Sequence, residues 1–254
     1  MDWQETSNNW VLIPPQPVGI VHFLGGAFVA TAPHLLYRSL LEALAQAGYG
    51  IIATPFFTLE TLDHQAIARN VLNRFETACD RLIQRQLLPP NLPIYGIGHS
   101  MGCKLHLLIN SRYPVERVGN ALISFNNFPI DRSIPFADRL QLRTSFNLDF
   151  TPTPAETLTV IKTDYPVQRN LLIKFRRDDI DQTYDLAPIF EARFAEQTRF
   201  QILPGTHTTP LSQRLNWKAG KAFTPLDAIG QWVKQEVSRD LDRLQQELLH
   251  WLRG

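Results

Sequence analysis

The stretch from Ile94 to Leu108, IYGIGHSMGCKLHLL, constrains this chain more than any other. Ile94-Tyr95-Gly96-Ile97 reads as a buried strand, and Gly102 to Arg112 reads as a helix. The turn between them, Gly98-His99-Ser100-Met101-Gly102, is too short to be a loop. So sharp a reversal needs small neighbours, and Gly98 and Gly102 supply them. It lifts Ser100 above the strand ends and sets it at a helix start, where free N–H groups favour developing negative charge. The plain alternative is a glycine-rich turn with an incidental serine. Two other uses of the stretch fail. A dinucleotide G-x-G-x-x-G would need glycine where Met101 stands, and a phosphate loop would need Gly-Lys where Cys103 intervenes before Lys104.

Around this junction, strand and helix patterns alternate. Strands are expected at Gly19–Leu24, Gly50–Thr54, Ile94–Ile97, Asn120–Phe125, Leu171–Phe175 and Arg199–Leu203. Helices are expected at Pro33–Ala47, Leu62–Leu87, Gly102–Arg112, Ala187–Gln197 and Pro225–Leu252. That rhythm implies an α/β class, with a mostly parallel sheet covered on both faces. It breaks over residues 126–170, rich in Pro, Thr, Asp and Phe. We read this as an inserted lid segment of a single domain spanning 1–254.

Bulk properties narrow the function by exclusion. The formal net charge is +1, so no electrostatic case for nucleic acid exists. The two cysteines, Cys79 and Cys103, suggest buried free thiols and no disulfide framework. No histidine or cysteine spacing suggests a metal, and no cofactor is expected. The N-terminus lacks a secretory pattern, and no apolar run reaches the ~18 residues of a membrane span, so a cytosolic location is the expectation. The closing helix carries Trp232, Trp251 and a leucine stripe above a polar face of mixed charge. Packing on the sheet is expected, with peripheral membrane contact as the alternative.

A serine hydroxyl is a weak nucleophile and needs a base and an orienting group. His207, in a Pro/Gly loop just beyond the last core strand, is the candidate base. The other six histidines sit in or beside strands and helices, and His99, next to the serine, should point elsewhere. The strand LLIKF is followed by Asp178, Asp179 and Asp181; Asp178 is the candidate acid, with Asp179 next. An oxyanion hole would take one N–H from Met101 and another from the loop after GIVHFL, at Gly26 or Ala27. The chain order is then Ser, Asp, His.

At these residues the sequence resembles the α/β-hydrolase superfamily. More narrowly, PPQPVGIVHFLGGAFVATAPHLLYRSLLEAL, GIGHSMGCKLHLL and GNALISFNN resemble a domain-of-unknown-function family, number 1350, of cyanobacteria and plastid-bearing plants. The resemblance implies an α/β-hydrolase fold and a photosynthetic source, and no substrate; without a recognisable transit peptide, a bacterial cytosol is expected. It also has departures. Leu24-Gly25 replaces the usual His-Gly of the first oxyanion loop, and Phe175 stands where glycine usually ends the acid strand. The N-terminal block is short, so one or two of the usual eight strands are expected to be missing.

The expected pocket residues are Phe28, Phe125, Asn126 and Phe128, with Asn127 beside them and Phe136, Phe146 and Phe150 in the lid. Such a lining suits an apolar or lipid-derived ester as small-molecule substrate, although the same aromatics could simply anchor the segment. The reading is therefore a serine esterase working through an acyl-enzyme. An acyltransferase, or a non-catalytic binding or assembly factor on the same fold, is the alternative.

Overall fold

A computed structural model describes residues 1–27, 29–58, 61–129, 149–212 and 238–254. Among the described residues eight strands form one sheet, in the order β1-β2-β4-β3-β5-β6-β7-β8. Contrary to expectation, the N-terminal block supplies two of the eight strands. Strands β1 (Gln4–Thr6) and β2 (Asn9–Leu12) make a hairpin, and β2 runs antiparallel to β4 (Tyr49–Ala53). Ser7 and Asn8 turn the hairpin with φ of 51° and 58°, the left-handed pair a two-residue hairpin turn demands.

The other pairings are parallel and join β3 (Gly19–Leu24), β4, β5 (Ile94–His99), β6 (Gly119–Ile123), β7 (Asn170–Arg177) and β8 (Thr198–Thr206). Strands β3, β4 and β6 are buried along their whole length, as a sheet covered on both faces requires. Alternate side chains face two layers. Val21, Phe23, Ile51, Ile97, Ile123 and Ile173 meet Leu40, Leu41 and Leu44 of α2 (Arg38–Gln46) on one face. Leu241, Leu244, Leu248 and Trp251 of α7 (Ser238–Arg253) complete that layer, so the described part of the closing helix packs on the sheet. Its expected beginning, 225–237, lies outside the described residues. The opposite face is covered by α3 (His64–Gln84), α4 (Met101–Arg112), α5 (Pro154–Asp164) and α6 (Thr183–Phe194).

Several elements differ from the pattern. The first expected helix is two, α1 (Pro33–Leu36) and α2, broken at Tyr37, whose ring is wholly buried. The segment 126–170 contains α5, opened by a capping box in which Thr153 and Glu156 bond each other's backbone N–H. Helix α6 starts at Thr183 rather than Ala187, because the Asp181 carboxylate accepts from the Thr183 N–H. Strand β8 runs to Thr206, which brings its end to His207. Both cysteines are free and buried. Among the described residues no helix is long and apolar enough to cross a membrane.

Candidate active site

Strands β5, β7 and β8 run parallel, so their C-terminal ends open on the same edge of the sheet. One candidate residue follows each. Ser100 caps α4 with φ 55° and ψ −119°, a conformation that a side-chain-bearing residue holds only when its surroundings over-determine it. The surroundings do so. A Cβ on Gly98 would lie 2.6 Å from the Cys103 nitrogen, and one on Gly102 would overlap the Leu24 carbonyl. The Ser100 N–H is held by the Ile123 carbonyl at 2.9 Å.

His207 stands just past β8, in a turn set by Gly205 at φ 128° and by the Thr206 N–H donating to Thr209 Oγ1 at 2.8 Å. Its Nε2 lies 3.0 Å from Ser100 Oγ, and its Nδ1 lies 2.8 Å from Asp178 Oδ2. The other Asp178 oxygen accepts from the Ile180 N–H at 3.1 Å. Burial opposes ionisation of Asp178. The hydrogen bond and charge of His207, with the Ile180 N–H, outweigh it and hold the carboxyl below its ordinary range. The carboxylate can only accept, so His207 Nδ1 carries a hydrogen, and in the neutral imidazole Nε2 accepts from the Ser100 hydroxyl. Asp179 is exposed. Asp181 is buried elsewhere, bonded to Thr183 and 3.4 Å from Lys174 Nζ. Of the three acids, Asp178 is the one against the imidazole. Arg177 lies 3.9 Å from Asp240 on α7.

The model of one family, described as a protein of unknown function (DUF1350), matches residues 2–254. The chain belongs to the DUF1350 family. No curated protein matches. Solved structures that resemble it share the α/β-hydrolase fold at low identity. A substrate-bound fluorophosphonate-binding serine hydrolase, FphF, of Staphylococcus aureus is 14% identical with a TM-score of 0.56, covering 89% of this chain and 90% of that one. Est1E from Butyrivibrio proteoclasticus is 12% identical with a TM-score of 0.53, covering 97% and 94%. The thioesterase domain from the curacin biosynthetic pathway is 14% identical with a TM-score of 0.52, covering 83% and 94%.

In this DUF1350 chain the loop after β3 abuts the serine. A Cβ on Gly26 would lie 3.2 Å from Ser100 Cβ. The Gly26 N–H, however, donates to the Tyr37 hydroxyl at 2.8 Å, so it is committed. The N–H groups of Ala27 and Met101 have no acceptor among the described residues. Phe28 lies outside the described residues, as do Phe136 and Phe146. Phe125 is fully buried between Leu122, Ile161 and Leu186, so its ring belongs to the core and not to a pocket wall. The Asn126 amide donates to the Ile180 carbonyl at 3.0 Å and accepts from the Phe128 N–H, tying its own loop to the acid turn. Asn127 is likewise bonded, to the Pro154 carbonyl and the Gln182 side chain, and Phe128 is half-buried. Phe150 stacks on His64 at 4.1 Å, an anchoring contact.

The pattern of residues gave no role to His99. Its Nδ1 is 2.8 Å from the Tyr37 hydroxyl and its Nε2 is 2.9 Å from the His207 carbonyl. Burial, then the nearby His207 charge, push its pKa down to about 3, so it is neutral. Among the described residues no cluster of three His, Cys, Asp or Glu side chains could hold a metal.

Proposed function

We propose that this protein is a serine hydrolase that cleaves an ester or thioester through an acyl-enzyme. One observation carries the reading: the unbroken hydrogen-bond chain Ser100 Oγ, His207, Asp178, built on a strained serine at a helix start. Ser100 Oγ attacks the carbonyl carbon while its proton passes to His207 Nε2. Asp178 holds the tautomer and stabilises the imidazolium that forms. The carbonyl oxygen gathers negative charge, which the Met101 and Ala27 N–H groups, with the N-terminus of α4, would receive. His207 returns the proton to the leaving group. A water, deprotonated by the same nitrogen, then releases the acid and restores the serine. Were an alcohol or amine to enter in place of water, the same steps would make an acyltransferase.

An apolar acyl group is the substrate feature we favour. Leu24 and Met101, on either side of the elbow, belong to one buried apolar cluster with Ala30 and Phe56, and Ala27 packs on it. The intact chain of three groups favours catalysis over a purely binding role.

The test is labelling of the purified protein by a fluorophosphonate probe beside Ser100→Ala. Labelling of the wild type alone supports an activated serine, and p-nitrophenyl esters of graded length then rank acyl chains. An unlabelled wild type that is also inert to these esters would overturn the reading.

A further inference from the structure

Resting on the hydrolase reading above, we infer that His99 and Tyr37 are positioning residues whose hydrogen-bond relay ties the base loop to the loop carrying Gly26. The relay has four members from four parts of the chain: Gly26, Tyr37, His99 and His207. Its contacts measure 2.8, 2.8 and 2.9 Å.

Its polarity is fixed at every step. The His207 carbonyl can only accept, so His99 Nε2 carries a hydrogen and donates to it. A neutral imidazole then has a lone pair at Nδ1, which must accept from the Tyr37 O–H. The Tyr37 oxygen, having donated, accepts from the Gly26 N–H. Each group has one role and no alternative partner is needed. Tyr37 is wholly buried and His99 nearly so, so water does not compete for these bonds. A satisfied buried network of this kind fixes one arrangement.

What it fixes matters. His99 is covalently next to Ser100, at the last position of β5. Through Nε2 it grips the backbone of His207, whose ring lies 4.9 Å away from its own. Tyr37, at the break between α1 and α2, sets the peptide at Gly26, and a Cβ on Gly25 would sit 2.8 Å from the Tyr37 ring. Serine, base and the Ala27 donor are thus referred to one rigid element. A loss of about 1 Å in such placement can cost on the order of a hundredfold in rate.

The probe is the same fluorophosphonate, with p-nitrophenyl butyrate as a turnover substrate. Tyr37→Phe and His99→Phe keep an aromatic ring and remove the relay; His99→Gln keeps an N–H that can reach the His207 carbonyl. For variants whose thermal unfolding remains cooperative, labelling rate and kcat should fall ~10- to 100-fold with KM little changed. His99→Gln should recover part of the loss. The double variant Tyr37→Phe/His99→Phe should fall no further than the worse single one, as members of one relay must. If His99→Phe does not fold, Tyr37→Phe and His99→Gln carry the test. Labelling within twofold of wild type in Tyr37→Phe overturns the inference while leaving the serine reading intact. Additive losses in the double variant, or no recovery by glutamine, reduce the pair to core filling and also overturn it. A wild type that neither labels nor turns over ester removes both readings together.

Discussion

Acid should unfold this protein well above the range where carboxylates titrate. His64, His99 and His106 are nearly inaccessible to water, and burial pushes each down to about 3. His22 is buried beside His106, their rings 5.0 Å apart, and is lowered as well. In the unfolded chain a histidine titrates near 6.5. The folded pKa is depressed, so the unfolded state binds the extra protons. Stability is therefore fully present above about 6.5 and is lost as pH falls toward about 3. At pH 5 each such histidine favours the unfolded state by about 2 kcal/mol, since the unfolded ring is protonated and the folded one is not. Three together give about 6 kcal/mol, before His22 is counted, against a typical domain stability of about 5–15 kcal/mol. Lys104, pushed down to about 7 by burial, is half-deprotonated in the folded state at pH 7 and adds only about 0.4 kcal/mol to the same loss between pH 7 and pH 5. The assay is urea unfolding at pH 7 and pH 5 at one ionic strength. With a slope of about 2–3 kcal/mol per molar urea, the midpoint should drop by about 2–3 M. His64→Phe supplies the control. Its ring stacks on Phe150 and neither of its nitrogens has a partner, so this variant should recover about 2 kcal/mol at pH 5. Equal midpoints at the two pH values, or an unchanged pH dependence in His64→Phe, would refute the reasoning.

Other outcomes follow from single contacts. Asp178→Asn should lower kcat toward p-nitrophenyl esters by on the order of 10⁴-fold by presenting the wrong tautomer of His207, while Asp179→Asn should leave it within about twofold. Gly102→Ala places a methyl group on the Leu24 carbonyl, so soluble yield and thermal midpoint should fall together. Thr153→Ala removes the cap of α5 and should cost about 1 kcal/mol in urea unfolding, without changing ester turnover.

The elbow was legible in the sequence because its causes are local: two glycines, a serine, a strand before and a helix after. Asp178 and His207 were legible because parallel strands deliver whatever follows them to one edge. Other features needed contacts that no local pattern carries. The hairpin β1–β2 is too short to show alternation, and its signal is a Ser-Asn pair at positive φ. Helix α5 buries only Thr157, Val160 and Ile161, too few for a visible stripe, although Thr153 and Glu156 stood at capping distance in the sequence. Phe125 looked like a pocket wall because it lies at a strand end, yet the helices beyond it close over its ring. The partnership of His99 with Tyr37 spans 62 positions and that with His207 spans 108, so only the assembled sheet reveals it.

The sheet order also has a consequence during synthesis. Strands β5, β6, β7 and β8 are added outward in the order in which they leave the ribosome. Ser100 emerges 107 residues ahead of the imidazole that bonds it. At about 5–20 residues per second, that interval lasts roughly 5–20 seconds. For that time the nascent chain holds Ser100 without the imidazole of His207. On the proposed hydrolase reading, the last strand would act as a completion signal: reactivity would appear only after the whole sheet has been laid down, and incomplete chains would stay inert.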